Sequence, residues 1–231
     1  CKYGKLLKLA TNSIKRMDGF EMKILIIGAT GGTGTAIVGQ ALSQGHAVTA
    51  FVRNPAKMTI KHEQLVVVKG NVLDYDSVDH AVQGHDAVVS ALGHKQFLLK
   101  NAILSDGIKN IIRAMEKHKV KRLIFESSLG VGDSRGKLGL YYTLFVIPFI
   151  IYFYYRDKEL AERYIMESSL DWTIVRPGQL TNGKKRVVYR EGLNVGNWFS
   201  SVSISRADVA DFMLKQLTDN SYLNKTPGVA Y

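Results

Sequence analysis

From Met22 onward, short runs that are apolar throughout alternate with stretches whose apolar residues recur every three or four positions. The continuous runs are "KILIIG", "HAVTAFVR", "LVVVKG", "DAVVSALG", "KRLIFESS" and "DWTIVRPG". They predict strands covered on both faces, as in a parallel sheet. Of the helical stretches, "GTAIVGQALSQG" puts Ile37, Val38, Ala41 and Leu42 on one face and stops at Gly45. "DSVDHAVQG" predicts a short helix opened by Asp76 or Ser77 and closed by Gly84. Further helices are expected from about residue 98 to 118 and over 156–167. "SRADVADFMLKQLT" is a late helix, with Ser205 and Asp208 spaced as a capping box.

Strand and helix in alternation imply right-handed βαβ units and a doubly wound α/β sheet. No repeat or linker divides the chain, so residues 22–231 read as one domain with a small C-terminal substrate region.

One stretch breaks the alternation. "LGLYYTLFVIPFIIYFYY", residues 138–155, holds eighteen positions without a charge. A transmembrane helix needs ~20 such residues. The stretch nevertheless joins the fifth and sixth strands, which belong to one sheet, and Pro148 interrupts it near the middle. The expectation is a loop and short helix that turn at Pro148 and wall the substrate pocket. Exposed parts would form a dimer interface or a peripheral membrane contact.

The 231 residues are 46% hydrophobic and 22% charged, enough for a sizeable core, and the formal net charge is +11. That balance favours anionic partners such as nucleotides or an acidic membrane surface. No aromatic-plus-basic strand motif and no zinc-finger spacing points to nucleic acid. The six histidines show no metal-ligand spacing, so no metal is expected, and Cys1 is the only cysteine, which suits a reducing compartment. Residues 1–21 carry Lys2, Lys5, Lys8, Lys15 and Arg16 against Asp18 and Glu21. They read as a basic extension without the apolar core of a secretory signal. An organelle-targeting role stays open, as does a natural start at Met22. Cytoplasm is the expected location.

Chemistry enters at "IIGATGGTGTAIV". Gly28 permits a tight turn, Gly31 lets backbone approach a diphosphate, and Gly34 lets helix pack on strand. Amides at the helix start then face the diphosphate, with the helix dipole favouring its charge. Thr30 and Thr33 can add hydroxyl donors. The spacing is GxxGxxG, and the strand before it and helix after it supply the required context. The second strand ends "AFVRNP", with Arg53 where an NAD site carries an acid. Arginine can hold a 2′-phosphate through two charge-assisted bonds, so NADP(H) is expected, with Lys57 as a second contact.

With "GATGGTG", "FVRNP", "GNVLD", "SSLGVGDS" and "WTIVRPG" in this order, residues 22–217 resemble the atypical short-chain dehydrogenase/reductases. Within them the chain is similar to the NAD(P)H-binding group related to flavin reductase/biliverdin reductase B and the NmrA-like proteins. The resemblance implies a Rossmann domain and hydride transfer to a small acceptor. It implies that Gly28, Thr30, Gly31, Gly32 and Thr33 hold the diphosphate, and Arg53 the 2′-phosphate. Asn71 and Val72 would border the adenine, although many members have Asp in place of Asn71. Leu92, Gly93, Ser127 and Ser128 would line the nicotinamide side, with Pro177 and Gly178 closing over it. In the catalytic pattern of Ser with Tyr-xxx-Lys, Lys158 fits the lysine, Tyr154 the tyrosine and Ser128 the serine. Tyr155 replaces Tyr154 if the helix starts later.

The expected function is therefore an NADPH-dependent oxidoreductase, monomer or homodimer, acting on a small planar or apolar acceptor such as a quinone, flavin or carbonyl compound. The alternative is a non-catalytic NADP(H)-sensing protein of the NmrA-like type.

Overall fold

The computed structural model of the chain describes residues 21–94, 99–199 and 201–231. All but the last residue of the basic extension lies outside this set.

Each apolar run forms a strand: β1 (Lys23–Ile27), β2 (Ala47–Val52), β3 (Leu65–Lys69), β4 (Ala87–Ser90), β5 (Arg122–Glu126) and β6 (Asp171–Pro177). These six pair in parallel in the order β3-β2-β1-β4-β5-β6. The sheet is a doubly wound Rossmann sheet. The helices are α1 (Gly32–Ser43), α2 (Tyr75–Val82), α3 (Ile103–His118), α4 (Tyr152–Glu167) and α5 (Arg206–Lys215). One core packs α1 and α5 through Ile37, Val38, Phe212 and Met213 on Ile24, Ile26 and Ala50. The other packs α2, α3 and α4 through Val78, Ile108, Ile111 and Ile165 on Leu25, Ile27 and Phe125. The connections leave β1 in opposite directions, towards β2 and β4, so a crevice opens at its carboxyl end.

Four strands of three residues each escaped the sequence pattern: β7 (Gln179–Thr181), β8 (Arg190–Gly192), β9 (Ser203–Ser205) and β10 (Gly228–Ala230). Alternation cannot show over three positions. β10 extends the sheet parallel to β6, β8 adds an antiparallel edge, and β7 pairs with β9 apart from it.

Several boundaries differ from expectation. α2 starts at Tyr75 after Asp74, one residue before the expected Asp76 or Ser77, and no side chain caps it. α3 starts at Ile103 rather than near residue 98, which lies outside the described residues. Its first amides are instead received by a buried carboxylate from α4: Leu104 and Ser105 donate to Asp157 at 2.8 and 3.0 Å. Ser205 caps α5 by accepting from the Asp208 amide at 3.0 Å. The reciprocal half of the box is absent, because the Ser205 amide donates to the Tyr231 hydroxyl. The Asp208 carboxylate accepts from the Arg186 and Val187 amides instead.

The uncharged stretch is more helical than the expected loop and short helix, with only residues 138, 139, 150 and 151 outside a helix. Residues 140 and 141 lead into a π-helical turn at Tyr142–Val146 and then into Ile147–Phe149. The Ile147 amide bonds to the carbonyl of Tyr142, five residues back. This widening accommodates Pro148, which has no amide to donate. The chain turns at Ile150 and Ile151, not at Pro148, and α4 begins one turn before the expected Arg156. No helix among the described residues is long and apolar enough to cross a membrane.

Candidate active site

A groove of about 670 Å³ runs along the carboxyl ends of β1, β2, β4 and β5. At one end lies the glycine loop. Gly28 sits at φ +78°, where a Cβ would come within 2.4 Å of the Ala91 carbonyl oxygen. Gly34 has room for none either, since a Cβ there would stand 2.1 Å from the Gly28 carbonyl oxygen. Both glycines are therefore required by the chain's own packing. Gly31 is different. As the N-cap of α1 it has no side-chain cap, and its surroundings are open apart from Gly28. The first amides of α1 therefore face the groove without a side-chain acceptor, as an anion site needs. Thr30 lines the groove, but the Thr33 hydroxyl is already committed, donating to Glu126 at 2.9 Å.

Two residues distant in sequence complete this end. Glu126, at the end of β5, is buried beneath the loop, and burial pushes its carboxyl above the usual range. Arg206, at the start of α5, lies over Gly32: a Cβ there would be 2.6 Å from its Cδ. Gly32, expected to approach a diphosphate, thus makes space for an arginine. Arg206 is held by Asn182 at 2.7 Å and lines the groove. No local motif marks either residue, because both reach the loop only through the sheet and helix packing. Arg53 and Lys57 line the groove beyond β2, together with Phe51 and Val72. Asn71 faces an adjoining surface cleft that Arg53 shares. Its side chain accepts from the Leu73 amide at 3.2 Å.

At the other end stand Leu92, Gly93, His94, Ser127, Tyr154 and Lys158. Lys158 is buried on α4 and donates to the carbonyls of Ser127 at 2.8 Å and Glu126 at 3.4 Å. Its ammonium lies 5.3 Å from the centre of the Tyr154 ring, one turn back on the same face. A Cβ on Gly93 would lie 3.3 Å from the Tyr154 hydroxyl, which places that hydroxyl at the groove wall. His94 stacks edge-on against Tyr154 at 4.8 Å, and burial lowers its pKa, keeping the ring neutral near pH 7. The Ser127 hydroxyl is buried and has no partner among the described residues.

Three expected residues, Ser128, Pro177 and Gly178, do not line the groove; the Gly178 amide donates to the Val229 carbonyl at 2.9 Å. Ser128 does not line the groove: its hydroxyl bonds to Tyr155 at 2.9 Å and to the Leu129 carbonyl at 3.1 Å. Pro177 is buried within β6, opposite Val229 of β10, and its carbonyl accepts from the Leu129 amide at 2.9 Å. It does not close over the groove, and Leu180 of β7 lines it instead. The arginine before it, Arg176, binds Glu162 of α4 at 2.7 Å and also Asp133. "VRPG" and "GVGD" thus meet in an ion cluster, buried at Arg176 and Glu162 and exposed at Asp133, that ties α4 to β6. Of residues 138–155, only Tyr154 lines the groove, so the expected apolar wall is reduced to one ring.

These residues fit a nicotinamide dinucleotide. The loop supplies open amides, Arg53, Lys57 and Arg206 supply positive charge, and the buried Ser127 hydroxyl awaits a polar partner. No group of three or more acidic, histidine or cysteine side chains that could hold a metal occurs among the described residues.

The comparisons agree with that geometry. A family model described as NAD(P)H-binding matches residues 28–220. The chloroplastic protein At2g34460 of Arabidopsis thaliana is 34% identical over 75% of this chain and 62% of its own length. This chain therefore spans about three fifths of that relative. Phenylcoumaran benzylic ether reductase TP7 of Nicotiana tabacum is 26% identical over 89% of this chain and 68% of its own length. Among solved structures, the anaerobilin reductase ChuY of Escherichia coli O157:H7 superposes with a TM-score of 0.74 at 25% identity, covering 90% of this chain and 96% of that one.

Proposed function

This chain belongs to the NAD(P)H-binding family within the atypical short-chain dehydrogenase/reductases, and we propose that it is an NADPH-dependent reductase of a small planar or apolar acceptor, such as a quinone, flavin or carbonyl compound. The observation that carries the reading is the continuity of the groove. It joins an anion site at the glycine loop to a Lys158–Tyr154 pair at the far end.

The amides at the start of α1 and the Arg206 guanidinium would hold the diphosphate, and Arg53 with Lys57 the 2′-phosphate. A reduced nicotinamide, when bound, supplies a hydride. Lys158 spends two donors on the carbonyls of Glu126 and Ser127, leaving one N–H for a ribose hydroxyl. The Tyr154 hydroxyl would pass a proton to the acceptor, and the nearby ammonium would stabilise the phenolate that forms. Ser127, rather than Ser128, would be the serine that hydrogen-bonds a ligand, since it lines the groove and its hydroxyl lacks a partner among the described residues. His94 packs edge-on against the Tyr154 ring and would narrow the site towards a flat acceptor.

Oxidation of NADPH and of NADH against quinones, flavins and aldehydes tests the proposal. Turnover with at least one acceptor, faster with NADPH, is expected. Tight NADPH binding without oxidation by any of them would favour a dinucleotide sensor instead.

A further inference from the structure

The helical segment at residues 140–149 leaves most of its apolar surface uncovered. Leu140, Tyr141, Leu144, Phe145, Phe149 and Ile150 are all exposed, Tyr141 by 64% and Phe149 by 76%. A second loop with exposed aromatic residues lies beside the chain that leads into this segment. Leu138 bridges Asn197. The ring of Trp198 lies so close over Gly136 that a Cβ there would stand 2.2 Å from it. Phe199, next along, is 98% exposed. Contiguous apolar patches of this kind mark an interaction surface.

Charge identifies the occupant. Residues 138–155 contain no ionisable acid or base apart from tyrosine, and cations stand at both edges: Arg135 and Lys137 before, Arg156 after. A cleft of about 300 Å³ gathers Arg135 and Arg156 beside Ile147, Pro148 and Tyr152. Glu159 also lines it, but both of its oxygens are taken by Arg135 at 3.0 Å. Lys137 donates to the Leu193 carbonyl at 2.8 Å and lies within electrostatic reach of Asp133, which is itself bound by Arg176. Arg156, in no salt bridge among the described residues, thus presents its charge beside the aromatic side chains, with Lys137 at the other edge. A second copy of this chain would bring like charges to that edge, on a molecule already at +11. An anionic lipid surface answers both features. The segment is about 15 Å long against ~30 Å of hydrocarbon, so it can lie in the interface but not cross it.

We propose that this face docks on an anionic bilayer, with Tyr141, Phe145 and Phe149 entering the boundary between headgroups and acyl chains, and Arg156 and Lys137 at the level of the phosphates. The proposal stands apart from the reductase reading, since none of these side chains lines the groove.

Co-sedimentation of the whole chain with vesicles is the test, using phosphatidylcholine alone or mixed with phosphatidylglycerol. Binding should be stronger with phosphatidylglycerol and should weaken at high salt. F145E/F149E should lower affinity for the anionic vesicles roughly tenfold or more. Arg156→Glu should lower it by roughly tenfold or more on the anionic vesicles alone. Both variants should bind NADPH as the parent does, because the altered side chains are exposed and remote from the glycine loop. The basic residues before Met22 remain in every variant. Undiminished binding by F145E/F149E would therefore overturn the proposal. So would an absence of sedimentation with either vesicle, or a dimer in sedimentation velocity that F145E/F149E separates.

Discussion

Two cavities meet at the first turns of α4, and they treat adjacent tyrosines in opposite ways. Tyr154 faces the long groove, with Lys158 and His94 against its ring. Tyr155 faces the smaller cleft, and its hydroxyl is engaged by Ser128 at 2.9 Å and by the Leu129 carbonyl at 3.1 Å. Burial pushes the Tyr155 hydroxyl up to about 12, out of reach as an acid near neutral pH. The serines divide in the same way: Ser128 is paired with Tyr155, whereas Ser127 lines the groove and its buried hydroxyl has no partner among the described residues. Polar groups with internal partners hold structure together. Buried ones without a partner have capacity for a ligand. By that criterion the groove holds the chemistry, and the Ser128–Tyr155 pair anchors α4 to the loop after β5.

The sharpest way to break this contrast is Lys158→Ala. If the ammonium orients ribose and proton donor, turnover should fall by about two orders of magnitude or more while NADPH affinity changes far less. Wild-type turnover on the best acceptor would reduce Lys158 to a structural tie of the β5 carbonyls. The paired substitutions Tyr154→Phe and Tyr155→Phe separate the two cavities directly. Tyr154→Phe should lower turnover roughly tenfold to a hundredfold with little change in unfolding midpoint. Tyr155→Phe should keep its turnover and lose about 1 kcal/mol of stability in denaturant titration. The reverse outcome would move the proton donor to the cleft.

At the groove's other end, Arg53→Asp should weaken NADPH binding about tenfold or more and leave NADH less affected, measured by fluorescence titration. Equal affinities in both proteins would show that Arg53 does not read the 2′-phosphate. The smallest effect is expected for Glu126→Gln. Because burial raises the folded-state pKa of Glu126, the ionised side chain costs stability as pH rises above the ordinary Glu value of ~4.3. The amide should therefore unfold at a higher temperature than the parent at pH 7, with the gain disappearing as the pH is lowered through ~4.3. A gain that persists at lower pH would point to packing rather than ionisation.

Six strands and the glycine loop were legible from residue order, because each is a local pattern. A buried parallel strand must be apolar throughout, and a diphosphate turn must lack side chains where backbone meets backbone, as at Gly28 and Gly34. Arg53 was legible for the same reason, as the residue ending a recognisable strand. Tertiary structure decided the rest. It decided which of Ser127 and Ser128 faces the groove, because adjacent residues at a strand end point to opposite sides and only the register of the sheet says which side is which. It brought Glu126 and Arg206 to a loop far from both in sequence, through sheet order and the packing of α5 on α1. It turned "VRPG" from a groove lid into an ion cluster through Arg176. It also turned the uncharged stretch outward: the segment widens into a π-helical turn before Pro148 and ends at Phe149, with most of its apolar side chains exposed.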